Sequence, residues 1–177
     1  MTKETKEEDR IQQVERVPNV IRQNKDRLIN QWLQRVKANP ELITVSLSDV
    51  ERRDHVPDLL DEAIAHACGD PILHEERLKA AEHHGTLRYH QGYSVAMLIL
   101  EAQLLQDVIA ECIRDHVFAF DLSHLIPDIA KISDTISAEL RESSRSFMKH
   151  YEWDFPALAN ELDRTGPTAW SAQLEND

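Results

Sequence analysis

Between Ala81 and Ile109 the chain reads AEHHGTLRYHQGYSVAMLILEAQLLQDVI, two helical patterns meeting at a Gly92-Tyr93-Ser94 corner. This stretch limits the possible folds more than any other. Before the corner the pattern is polar, with Leu73, Leu78, Ala81 and Leu87 as a thin apolar set. After it, Met97, Leu98, Leu104, Leu105, Val108, Ile109, Cys112 and Ile113 recur at three- and four-residue spacing. A helix apolar on more than one side belongs at the centre of a bundle. Gly92 supplies the stop and Ser94 the N-cap of the next helix.

The same periodicity recurs along the chain. Pro18 suits a first helical turn, and Val20, Ile21, Leu28, Ile29, Trp32, Leu33 and Val36 form one stripe ending before Asn39-Pro40. Ser48-Asp49-Val50-Glu51 has capping-box spacing. Pro57 opens a helix carrying Leu59, Leu60, Ile64 and Cys68, and Gly69 is expected to close it in the left-handed conformation. Asp70-Pro71 begins the helix that runs to the corner, 71–91. Past Phe118 and Phe120, one long helix is predicted over 123–151. With four glycines in 177 residues and no strand-like alternation, the expected class is all-α, a helical bundle with a long C-terminal helix. One domain is expected over 11–151, between a disordered tail at 1–10 and a partly disordered acidic-aromatic tail at 152–177. Leu125, Ile129, Ile132, Ile136 and Leu140 step by four, three, four and four, which predicts a homodimer seam.

A formal net charge of −12 opposes binding to nucleic acid or anionic lipid. The longest apolar run, Val95 to Leu100, is far too short to span a membrane. Cys68 and Cys112 lie among apolar helical residues and read as reduced core thiols, which suits a cytoplasmic protein.

Glu101 is the most informative polar residue, because its helical neighbours Leu98, Leu100, Leu104 and Leu105 are apolar. A buried carboxylate needs a partner, and Arg88 across the corner is the obvious one. The pair reads either as a structural clasp or as part of a ligand-facing switch with His84 and Tyr93. His83, His84 and His90 offer an alternative, a metal site or haem ligation. On one helix, however, His83 and His90 stand two turns, about 10.5 Å, apart. No nucleophile elbow, phosphate-cradling loop or metalloprotease motif occurs, so the chain is not expected to be an enzyme.

The run His84-Gly85-x-x-Arg88-x-x-x-Gly92-Tyr93-Ser94, followed by Leu98, Glu101, Leu104, Leu105 and Ile109, resembles the N-terminal sensor domain of RsbR-type stressosome proteins, the RsbT co-antagonists. Trp32 to Val36, the His55-Val56-Pro57-Asp58-Leu59-Leu60 segment, and Ile132 with Asp134 fit the same pattern, so the likeness covers about residues 18–150. The resemblance implies a globin-like dimeric sensor that usually lacks haem and whose last helix leads to an output module. Such modules include a phosphorylatable STAS domain, a histidine kinase or a helix-turn-helix regulator. Only 26 residues follow Tyr151, so signalling through a separately encoded partner protein is expected.

Overall fold

The computed structural model describes the backbone of residues 15–70 and 74–164, and the side chains of 15–70 and 75–151. Six α-helices follow in order: α1 (Val17–Ala38), α2 (Asp49–Arg53), α3 (Val56–Cys68), α4 (His74–His90), α5 (Val95–Asp115) and α6 (Leu122–Arg164). Short 3₁₀ turns lie at Leu42–Thr44 and Val117–Ala119. Among the described residues there is no strand, only an isolated bridge between Glu15 and Phe120. The chain is all-α, with a long C-terminal helix.

The punctuation read from the sequence is the punctuation of the fold. Pro18 lies in the first turn of α1. Ser48 and Glu51 form a reciprocal capping box on α2. Gly69 ends α3 at φ +88°, and the Ser94 side chain accepts from the Met97 N–H at the start of α5. The expected start of α4 at Pro71 lies outside the described residues.

The core is one cluster. Trp32, Ile21 and Leu28 of α1, Leu60 of α3, Val108 of α5 and Ile136 of α6 are almost wholly buried within it. Helix α6 runs along α4 and α3, while α1 packs on α5 and α3. Gly85 makes the α4–α6 approach possible: a Cβ there would stand 2.0 Å from the Ser143 carbonyl oxygen. Below that point the two helices share a polar seam. Thr86 Oγ1 lies 3.0 Å from Ser146 Oγ and 3.1 Å from His150 Nε2, and Ser146 donates to the Glu82 carbonyl at 2.9 Å. At the other end of α6, buried Asp128 takes Arg16 as an ion-pair partner, and Arg16 also donates to the Ala67 carbonyl at 2.9 Å.

Three expectations are corrected. The stripe expected as a dimer seam lies within the chain's own bundle. Ile132 and Ile136 are buried, and Leu125, Ile129 and Leu140 pack against the core. A period of 3.5 to 3.6 marks an apolar face without saying what covers it, and here α3, α4 and α5 do. Second, the helix does not stop at Tyr151 but continues to Arg164. Pro156 lacks one backbone donor, but Ala157, Leu158, Ala159, Glu161, Leu162 and Arg164 are strong helix formers. The rest of the expected tails, 1–10 and 165–177, lies outside the described residues. Third, Cys112 is buried as expected, but Cys68 is exposed at the last position of α3.

Candidate functional site

Tyr93 follows Gly92, whose φ of +83° lets the chain turn sharply between α4 and α5. The turn folds the end of α4 back over α5 and sets Arg88 against Glu101. Arg88 Nε donates to Glu101 Oε2 at 3.1 Å, with both side chains buried. Tyr93 Oη donates to the other carboxylate oxygen at 2.7 Å. The remaining Arg88 nitrogens reach the Glu51 and Arg52 carbonyls, each at 3.1 Å, and Gln91 Oε1 at 2.7 Å. The guanidinium carbon also stands 4.9 Å from the Tyr93 ring centroid. Arg88 thus ties α4 to α2 and α5 at once.

A second cation borders the network. Arg52 of α2 is buried and donates to the Leu42 and Val45 carbonyls at 3.3 and 2.7 Å and to Tyr93 Oη at 3.4 Å. Trp32 of α1 donates to the Glu101 backbone carbonyl at 3.0 Å. Burial raises the Glu101 pKa above the ordinary carboxylate range, while Arg88, Tyr93 and Arg52 pull it down. Burial and the Glu101 charge likewise push the Tyr93 phenol up, so the hydroxyl stays protonated and remains a donor.

His84 lies one turn before Arg88 on the same face of α4 and belongs to a neighbouring cluster. Its ring lies over that of His55, with centroids 3.5 Å apart and planes at 38°. Asp54 Oδ2 is 3.7 Å from His84 Nδ1 and 4.0 Å from His55 Nδ1. On the other side of His55, Nε2 faces Glu139 Oε1 of α6 at 3.7 Å. Both Nδ1 atoms and that Glu139 oxygen are buried without a hydrogen-bond partner. Burial depresses both imidazole pKa values well below the ordinary range. His84 and Arg88 add to the effect at His55, and Arg88 and His83 add to it at His84. Both rings are therefore neutral at pH 7. Burial pushes Glu139 up to about 7, with Glu101 and Glu62 adding to the rise and Ser143 and Arg88 opposing it.

A cavity of about 20 Å³ joins the two clusters, lined by His55, His84, Glu101, Glu139, Trp32 and Ser143 among others. It has room for about one water and none for a porphyrin, so His84 has no space for haem. On the outer side of the corner lies a larger cleft of about 580 Å³. Tyr93, His90 and Tyr89 line one wall, and Phe147, Met148 and Tyr151 of α6 the other.

Of the residues predicted from sequence, Arg88, Tyr93 and Glu101 form one bonded set and His84 adjoins it. The alternative metal trio does not assemble. His83 and His90 are exposed, His84 is buried, and the group within metal-ligating distance among the described residues is Asp54, His55 and His84. Sequence reasoning missed Arg52, Asp54, His55 and Glu139 as site residues. Glu139 carries the same signal as Glu101, a carboxylate among Ile132, Ile136 and Leu140. The serines at 143, 144 and 146 hide it by blurring the stripe. No family model, curated protein or solved structure matches the chain.

Proposed function

We propose that this chain is a non-enzymatic sensory or regulatory domain whose switch is the buried corner and whose output is α6. One observation carries the reading. Arg88, Glu101, Arg52, His84 and Glu139 lie together in the interior of a small bundle, where apolar residues would pack at lower desolvation cost. Such a cluster has few ways to be satisfied, so it favours discrete arrangements over continuous ones. It also meets α6 directly, through Glu139 beside His55 and through the Gly85–Ser143 contact. The outer cleft is within the usual size range of small-molecule sites and mostly apolar. A small, largely apolar ligand seated there touches Tyr93, and Tyr93 is bonded to Glu101.

From the resemblance to RsbR-type sensor domains we adopt a globin-like, dimeric cytoplasmic sensor that signals to a separate protein. The surface we assign to a second copy is the start of α6, where Leu122 and Ile126 stand one turn apart and 74% and 70% exposed, with Phe118 of the preceding 3₁₀ turn 98% exposed.

NMR relaxation dispersion tests the switch. Methyls of Leu98, Leu105, Ile132 and Ile136 are expected to share one microsecond-to-millisecond exchange process, and Tyr93→Phe is expected to shift its populations. Absence of exchange at all four, in both proteins, would contradict the reading.

A further inference from the structure

The geometry points to a divalent-cation site of the zinc class at Asp54, His55 and His84. One ligand atom from each of the three lies within 4.8 Å of the other two. Asp54 Oδ2 faces both Nδ1 atoms at 3.7 and 4.0 Å. Bonds of about 2.0–2.1 Å in tetrahedral geometry place neighbouring ligand atoms roughly 3.3 Å apart. Each of these two spacings closes to that value with a shift of less than about an ångström, while the His55 and His84 rings, with centroids 3.5 Å apart, must splay to about 5 Å for both nitrogens to point at one ion.

A second observation is independent of the clustering. His84 is 4% exposed, and its Nδ1, aimed at Asp54, has no hydrogen-bond partner. The same is true of His55 Nδ1. Buried polar atoms are nearly always satisfied, and one divalent ion satisfies both while neutralising the Asp54 carboxylate. Glu139 stands behind His55, facing Nε2 at 3.7 Å. That is the place of a carboxylate that orients a metal-bound histidine: the Glu139 oxygen, itself without a hydrogen-bond partner, would take the Nε2–H on closing by several tenths of an ångström and leave Nδ1 for the ion. Asp54, 31% exposed, forms the solvent side, so water can fill the fourth position. Two imidazoles and one carboxylate suit zinc, cobalt or a neighbouring ion better than magnesium or calcium.

The chain places these ligands deliberately. Asp54 is the only non-glycine residue of positive φ among the described residues, at +24°, in the joint between α2 and α3. His84 projects from α4 immediately before Gly85, where α4 meets α6. This site stands whether or not the chain signals.

The test is calorimetric titration of chelator-treated full chain with Zn²⁺, with Co²⁺ absorption as a second readout. One ion per chain and the visible bands of tetrahedral Co²⁺ are expected. Asp54→Asn and His84→Gln should each weaken Zn²⁺ binding at least about tenfold, and Glu139→Gln by about tenfold. His124→Gln, at an exposed histidine paired with Asp121, should change nothing. Asp54→Asn alters a partly exposed side chain, so it remains informative if His84→Gln fails to fold. Absence of one-to-one binding, or binding that His124→Gln weakens and Asp54→Asn does not, would overturn the site.

Discussion

Burial sets the chemistry of Glu139, and the consequence is measurable. Its pKa of about 7 in the folded chain exceeds the ordinary unfolded value of about 4.3. Between those values the folded state holds more protons than the unfolded state, so stability falls as pH rises. His55 and His84 act in the opposite sense. Their pKa values are depressed, so the stability they contribute is present above about pH 6.5 and is lost as pH falls below it. Between about pH 4.3 and 6.5 the two trends oppose each other in the metal-free protein, and the loss from Glu139 is complete just above pH 7. Glu139→Gln should remove that loss and so raise stability relative to the parent more at pH 8 than at pH 5.5, by at most about 4 kcal/mol. Urea unfolding of parent and variant at pH 5.5 and 8 measures this; equal stability differences at the two pH values would refute the assignment. Arg88 with Glu101 was legible in the sequence because a carboxylate inside an apolar stripe demands a partner. Asp54 was not, because its position depends on an unusual backbone conformation at a residue that is not glycine.

The helix boundaries before α6 were legible to within a few residues, since caps and stops are local: Ser48 with Glu51, Gly69, Gly92 and Ser94 act within a turn or two of where they stand, whereas the end of α6, expected at Tyr151, lies at Arg164. What covers each helix was not, because that depends on residues far apart in sequence. Leu125, Ile129, Ile132, Ile136 and Leu140 were readable as a stripe but not as a stripe facing α3, α4 and α5. Two variants act at this scale. Gly85→Ala drives a methyl into the Ser143 carbonyl, backbone that cannot move cheaply, and should destabilise the chain by about 1–3 kcal/mol. Thermal unfolding checks it, and an unchanged melting temperature would mean that α4 and α6 are less close than 2.0 Å implies. Phe118→Glu with Ile126→Glu should convert the proposed dimer to a monomer in native mass spectrometry. A dimer that survives both changes would place the interface elsewhere.

Across the whole molecule, the proposed switch makes the corner and α6 one unit separable from the rest of the core. Arg88 joins α4, α2 and α5, Glu139 and Ser143 bring α6 against the same cluster, and α1 meets it through Trp32 at the Glu101 carbonyl and, nearer the surface, through Lys37–Asp49, Arg53–Asn30 and Arg35–Glu111. No described helix is long and apolar enough to cross a membrane. Amide hydrogen exchange on parent and Tyr93→Phe, which removes the hydroxyl's buried hydrogen bonds to Glu101 and from Arg52, tests this. Protection across residues 132–147 of α6 should fall about five- to tenfold while α1 keeps its own. Equal losses in α1 and α6, or an unchanged α6, would contradict it and leave the corner as a clasp that holds two helices together.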